Sequence, residues 1–417
     1  MNVREIAYKT LCDVMIKKDY ANLNMRNFDY GLNEADQGLL TQIVYGTLRN
    51  YRYVRYQWML YVDKVDDRKL SVLLDMSAYQ ILLLDKVPSY ACVNEAVEIA
   101  KKLNGGRYTT LVNAVLRKLA NNGPQKVNGT DEYNKLGIET SHPDWLVKMW
   151  VAHYGMETAE KICFENLSEG RIALRVNTLL TSKEELLRDE RFSEGYTEDS
   201  LYFKGNILAT DYFHDNLVII QSESSQKVVE VVDPKKKDRI LDMCAAPGTK
   251  SIQMAMKTGD ECDIYAVDIY EKRVELINKA VSNYNLKSIK TMCEDGRNLP
   301  VKLPLYYFDK VLLDAPCSGL GTLKHKPEIK MNITAGDLDD IVRLQSQLLD
   351  SACLMVRNNG YLIYSTCTLN KKENDRQISM FLSQHPEFEL VHEETIFPYD
   401  HHSDGFYIAK MHKNVLE

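Results

Sequence analysis

The sequence predicts three parts in order: an all-helical front, a small α/β middle and a doubly wound parallel α/β body. Three observations predict this. Apolar residues recur at helical spacing from residue 1 to about 125. A polar Gly/Asn-rich run, NNGPQKVNGTDEYNKLG, begins at Asn121. From Arg239, short apolar runs that end in acidic or loop residues alternate with helical stretches. The expected boundaries are 1–125 for the helical part, 126–140 for a linker, 141–234 for the middle and 235–417 for the body.

In the front, residues 4–18, 34–61, 70–84, 93–103 and 109–121 carry the i, i+3, i+4 pattern. Val87-Pro88-Ser89 and Asn104-Gly105-Gly106 break the run between the third and fourth helices and between the fourth and fifth. Arg49, Arg52 and Arg55 stand three apart, interleaved with Tyr51, Tyr53 and Tyr56. Lys101, Lys102, Arg107, Arg117 and Lys118 form a second basic group. Arginine beside aromatic rings suits phosphate contact and base stacking; a solvated helix face over a tyrosine core fits the same pattern. In the middle part, 142–154, 157–166 and 183–191 read as helices and 172–177 and 216–221 as strands. In the body, strands are expected at 240–241, 264–267, 289–292, 310–313 and 361–364, with helices at 249–256, 271–284, 335–356 and 371–385. Such alternation places ligands at the carboxyl ends of the strands.

Composition bounds the function. With 45% hydrophobic and 27% charged residues and a mean hydropathy of -0.34, the chain is neither disordered nor fibrous. No apolar run reaches the roughly 18 residues of a membrane span, and the first twenty residues read as an amphipathic helix rather than a signal peptide. Nine cysteines without a C-x-x-C pair argue against a disulfide framework and a thiolate zinc site, so reduced thiols in a cytoplasmic chain are expected, with no metal and no membrane. His401-His402 with Asp404 is read as a solvated loop. The net charge of -7 is uneven. Residues 1–130 carry 18 Lys/Arg against 13 Asp/Glu, a net +5, and the remaining 287 carry 34 against 46, a net -12. A basic module on an acidic body is compatible with RNA as partner.

The turn after the first strand of the body, RILDMCAAPGTKS (239–251), has one glycine, so it is not a dinucleotide fingerprint, and its Gly248-Thr249-Lys250 order is not a P-loop. Small residues Ala245, Ala246, Pro247 and Gly248 after Cys244 admit a ligand close to the backbone. The helix start at Thr249 and Lys250 favours a carboxylate. Asp268 ends the second strand, where an acid grips a ribose diol, and Glu294-Asp295 ends the third, where one can accept from an adenine amino group. Carboxylate, ribose and base contacts on successive strands describe S-adenosyl-L-methionine.

Two cysteines follow neighbouring strands, Cys317 in Asp314-Ala-Pro-Cys-Ser-Gly and Cys367 in Ser365-Thr-Cys-Thr. C5 of a pyrimidine is too poor a nucleophile to take a methyl group unaided. A thiolate adding at C6 turns the ring into an enamine, and loss of the C5 proton later expels the thiol. Asp314 is placed to hydrogen-bond the ring N3 side. Lys250, Lys324, His325, Lys326 and Lys330 are the positive groups at hand to stabilise a thiolate. Either cysteine can be the nucleophile on this reading.

On LDMCAAPGTK, VDIYEKR, LLDAPCSGLGTLKHKPEIK, YSTCTLNKKEN and DGFYIAK, the chain resembles the Nol/Nop/Sun family of RNA cytosine-C5 methyltransferases. SHPDWLVKMW and LRVN resemble the small domain that precedes catalysis in that family. VNEAVEIAKK and LVNAVLRKL resemble a NusB-like RNA-binding domain. The resemblance implies a class I S-adenosyl-L-methionine methyltransferase domain behind an all-α NusB-like domain and a small α/β domain. It implies Cys367 as nucleophile, Cys317 as helper in product release, and Cys244 to Lys250 with Asp268, Asp295 and Asp314 as the cofactor site. It implies that Gln221, Ser224 and Ser225 pack beside the cofactor. The three-part order is similar to the branch acting on 16S ribosomal RNA, free or in an assembling small subunit, as a monomer. Transfer RNA or 23S ribosomal RNA as substrate, and an RNA-binding module with an inactive catalytic domain, are the alternatives. Thr249, Met331 and Lys372 depart from the family pattern.

Overall fold

The computed structural model describes residues 2–19, 21, 31–85 and 87–415. It divides into two compact units. The first comprises Met1–Glu169 with Leu323–Ile333, and the second Gly170–Thr322 with Thr334–Glu417. The chain therefore visits the first unit twice. Among the described residues no helix is long and apolar enough to cross a membrane.

The first unit is helical because its apolar stripes need one another. Val3–Lys17, Glu34–Met59, Arg68–Leu83, Ser89–Lys101 and Thr109–Asn122 enclose a core that includes Ile6, Leu11, Ile43, Leu48, Trp58, Leu73, Leu116 and Leu119. Asn2, Asn33 and Asp67 cap three of these helices by accepting from backbone N–H groups one turn ahead. Gly46 packs helix Glu34–Met59 so closely on Arg68–Leu83 that a Cβ there would lie 2.0 Å from Cζ of Tyr79. The long helix kinks at Asn50, whose side chain donates back to the Gly46 carbonyl.

The expected basic face is not a solvated one. Arg55 pairs with the fully buried Asp75, Arg52 with Asp144 and the His142 carbonyl, and Arg49 is largely enclosed. The second basic group, from Lys101 to Lys118, is exposed. The stretch expected as linker folds in part, with helix Glu132–Glu139 capped by Asp131. Helices Asp144–Tyr154 and Met156–Glu165 also belong to this unit, so its edge at Glu169 falls inside 141–234.

The second unit opens with a four-stranded antiparallel sheet of order β2-β3-β1-β4: β1 Ala173–Val176, β2 Phe192–Glu194, β3 Ser200–Phe203 and β4 Val218–Ile220. The pair β2 and β3 and the helix Glu223–Val232 lie beyond the elements expected here; the helix expected over 183–191 is one turn, Lys183–Leu186. A seven-stranded sheet follows, built of β5 Arg239–Asp242, β6 Asp263–Asp268, β7 Ile289–Cys293, β8 Phe308–Asp314, β9 Val356–Thr366, β10 Phe388–Ile396 and β11 Phe406–Lys413. Its order is β10-β11-β9-β8-β5-β6-β7. The five strands from β9 to β7 are parallel, and β11 and β10 close one side antiparallel. After β7 the chain crosses back to β8 beside β5. That reversal opens a crevice at the carboxyl ends of β5 and β8. Apolar cores flank the sheet, one with Val311, Leu313, Leu349 and Tyr364, the other with Ile240, Ile252, Ile277 and Ile363.

Gly46→Ala is expected to lower the first unit's stability by about 1–3 kcal/mol through overpacking against Tyr79. A thermal or denaturant midpoint equal to that of the unmodified chain contradicts this, and pairing the change with Tyr79→Val is expected to restore part of the loss.

Candidate active site

The register of β8 and β9 brings the two cysteines together. Asp314 pairs with Ser365 across the parallel ladder, so Cys317, three residues on, and Cys367, two residues on, leave the sheet side by side. Their Sγ atoms are 3.3 Å apart. The Cys367 sulfur and burial push the Cys317 thiol well above its ordinary value, with the Glu373 charge adding to the effect.

Beside the thiols stands an ion pair. Lys250 Nζ lies 2.6 Å from Asp314 Oδ2, and Ser365 Oγ donates to Asp314 Oδ1 at 2.7 Å. Burial works against the Lys250 charge, but Asp314 and Asp242 together hold the ammonium above its usual value. Both other buried lysines offered for thiolate stabilisation are used elsewhere: Lys324 pairs with Glu165 and Lys330 donates to the Arg49 carbonyl. His325 and Lys326 are exposed.

The loops carrying the cysteines are fixed by a carboxylate that sequence reasoning did not single out. Glu373 is fully buried and accepts four hydrogen bonds: from Ser318 N (2.9 Å), Ser318 Oγ (2.6 Å), Asn370 Nδ2 (3.0 Å) and Gln345 Nε2 (3.2 Å). Asn374 bridges Thr366 and the Thr368 carbonyl. Gly321 donates to the Cys367 carbonyl and accepts from Gly405 N, so tightly that a Cβ at Gly321 would lie 2.0 Å from the Gly405 oxygen. The signals were present as Glu373-Asn374 and the Gly-Leu-Gly of residues 319–321, but nothing local says which donors they meet.

The turn after β5 sits at the crevice. Ala245 N donates to the Val267 carbonyl, Gly248 takes a positive φ of 100°, and the helix Thr249–Lys257 starts directly after it. Asp268, 3% exposed at the end of β6, accepts from Ala246 N and Tyr270 N, each at 3.3 Å. Cys244 is enclosed, and burial pushes its thiol up. Thr249 is half-buried at the first helical position. Asp295 follows β7 as expected, but its carboxylate is engaged by Arg297, at 2.6 Å, and by the N–H of the turn it caps. Asp242 is fully buried. Its Oδ2 accepts from Ser251, and its Oδ1 has no hydrogen-bond partner. Burial pushes it up to about 7, with Asp314 and Asp268 adding to the shift and Ser251 and Lys250 opposing it. Gln221 bonds Arg175 and Gln253, and Ser224 bonds Ser403 and the Asp404 carbonyl, tying the small sheet to the body.

A buried, unpartnered carboxylate oxygen, acids at two strand ends and a small-residue turn form a donor set that fits S-adenosyl-L-methionine. The family described as 16S rRNA methyltransferase RsmB/F matches residues 229–412, the NusB family residues 1–121, and a ferredoxin-like domain of RsmF/B methyltransferases residues 142–189. Over 99% of each chain, the sequence is 35% identical to a Bacillus subtilis (strain 168) protein described as probable ribosomal RNA small subunit methyltransferase B. It is 28% identical to the ribosomal RNA small subunit methyltransferase B of Yersinia pseudotuberculosis (strain YPIII), again over 99% of each. The crystal structure of PH0851 superposes with a TM-score of 0.81 at 25% identity, covering 98% of this chain and 97% of that one. NSun6 from Pyrococcus horikoshii with SFG shares the fold over 66% of this chain and 99% of its own, with a TM-score of 0.60 and 22% identity.

The Asp242 carboxyl has a definite pH signature. Its folded value is raised, so the native state keeps a proton that the unfolded chain gives up near pH 4. Stability from this group is full below that pH and lost as pH rises through about 7. Relative to Asp242→Asn, the unmodified chain is expected to lose on the order of 2–4 kcal/mol between pH 4 and 7. A difference that stays flat across the range in denaturant unfolding contradicts it.

Proposed function

This chain belongs to the RsmB/F family of ribosomal RNA methyltransferases, and on that premise we propose that it methylates cytosine C5 in 16S ribosomal RNA, at the position numbered 967. Its cofactor is S-adenosyl-L-methionine, whose sulfonium supplies the electrophilic methyl that C5 accepts. The observation that carries the reading is the pair of sulfurs 3.3 Å apart beside the Lys250–Asp314 ion pair.

In this reading Cys367 is the nucleophile. Its Sγ bonds to C6 as the C5=C6 double bond opens, and the electron pair moves to C5. After methylation solvent water takes the C5 proton, the C5–H electron pair re-forms the double bond and the C6–Sγ bond breaks, returning its pair to sulfur. The assignment of Cys367 follows the family motif Ser-Thr-Cys, and Cys317, 3.3 Å away, stands close enough to assist that release. Asp314, oriented by Lys250 and Ser365, holds the N3 side of the ring by accepting from the exocyclic amino group of the cytosine. Asp268 takes the cofactor ribose, the turn from Cys244 through Ala245, Ala246, Pro247, Gly248 and Thr249 to Lys250 takes its amino-acid end, and Asp295 takes its base once Arg297 yields. We assign 1–125 as the RNA-binding domain, 126–140 as linker, 141–234 as the pre-catalytic domain and 235–417 as the catalytic domain of a monomer. The exposed basic group from Lys101 to Lys118 supports RNA contact by the first of these.

Bisulfite sequencing of 16S ribosomal RNA from cells with and without the chain tests the substrate. One cytosine is expected to lose protection on deletion; an unchanged 16S pattern overturns this target. Cys367→Ser is expected to reduce turnover by at least about 1000-fold, the cost of losing a covalent nucleophile, with cofactor binding kept. Cys317→Ala is expected to accumulate a protein–RNA adduct on a denaturing gel. Retained turnover in the first, or an adduct-free gel in the second, contradicts the assigned roles.

A further inference from the structure

The first unit carries an open cleft of about 520 Å³ far in sequence from the chemistry, lined by Tyr51, Arg52, Arg55, Tyr56, Met59, Asp144 and Trp145. Resting on the reading that RNA is the substrate, we propose that this cleft takes a nucleobase splayed out of the RNA, stacked on its aromatic walls.

Both guanidinium groups in the cleft are held in place. Asp75 is fully buried and binds Arg55 through both oxygens while also accepting from Trp58 Nε1 at 2.8 Å. Arg52 is fixed by Asp144 at 2.7 Å and by the His142 carbonyl, and Asn134 holds the second oxygen of Asp144 at 2.9 Å. These pairs compensate both charges, so the cleft carries little net charge and suits a flat neutral ring with a polar edge better than a phosphate. Arg55 remains 38% exposed in its side chain, leaving a donor surface at the opening.

The walls supply stacking. The Tyr56 hydroxyl is used, accepting from Asn128 N at 3.0 Å and donating to the Lys126 carbonyl, which anchors the ring. Trp145 is half-buried, whereas the chain's other tryptophans, Trp58 and Trp150, lie in the core. Met59, which lines the cleft, is 49% exposed, an apolar lip beside charged residues. Single-stranded RNA is bound by unstacked bases laid on aromatic or guanidinium planes, with each base–aromatic contact contributing about 5- to 150-fold in affinity.

The test uses the full chain with two probes, a mixed-sequence single-stranded RNA oligonucleotide and a protein-free 16S transcript. Trp145→Ala and Tyr56→Ala are expected to weaken binding of both by about tenfold. The methylation KM for the transcript rises, and kcat and cofactor affinity stay as they were. Trp145→Phe, which keeps a stacking face, is expected to bind within about twofold of the unmodified chain. Unchanged affinity in both alanine variants, or no RNA binding by the unmodified chain, overturns the proposal. Variants that bind naked RNA normally yet lose methylation only on 16S RNA carrying small-subunit proteins assign the cleft to a protein and overturn it too. A chain that binds RNA through this cleft but methylates none leaves the cleft standing and removes the proposed reaction instead.

Discussion

A carboxylate sealed from water organises the catalytic end of the molecule. Glu373 accepts from two loops and from the helix Ala335–Met355, and those loops carry the two cysteines. Buried charge is tolerated only when its lone pairs are filled, and here four donors fill them. The arrangement has a consequence for the sulfurs. At 3.3 Å one sulfur can donate its S–H to the other, and only loops held this firmly keep the two within that reach. Ser318, bonded to both Glu373 and Thr368, links the loops directly.

The same crevice gathers three carboxylates around Lys250, with Arg273 reaching Asp268 at 3.8 Å. Asp242, Asp268 and Asp314 close the ends of β5, β6 and β8, with Lys250 the ammonium bonded among them. The protein accommodates this by raising Asp242, the most deeply enclosed, to about 7 through burial, so that it readily carries a proton near neutral pH. A sulfonium with a cationic amino group relieves such a field, in keeping with S-adenosyl-L-methionine as the cofactor.

Much of this was legible because it is local. A strand that ends in an acid or in Asp-Ala-Pro-Cys states its own position, and β5, β6, β8 and β9 lie where apolar runs meet those residues. What was not legible depends on partners distant in sequence. Arg52 and Arg55 fit either an RNA-contacting face or a solvated one on sequence, and nothing local announced their partners Asp144 and Asp75, 92 and 20 residues away. β2 has three residues and one buried side chain, too little for an alternation to register. β10 alternates only weakly, with Glu389, Val391 and Glu393 exposed and buried apolar residues at its two ends alone. Within 126–140 the helix Glu132–Glu139 forms on an Asp131 cap despite its polar, glycine-bearing sequence.

The chain's return to the first unit through Leu323–Ile333 bears on how the protein unfolds. Lys330, within that short segment, is enclosed against Tyr51 and the Arg49 carbonyl, and Lys324 against Glu165. The segment lies more than 150 residues from the rest of its unit, so the closure it makes costs only slightly more than one half as long. It also places the first unit's melting in the same covalent stretch as Cys317, six residues before Leu323. The two units are therefore joined not by one linker but by three crossings of the chain, one of them directly after the loop that carries Cys317.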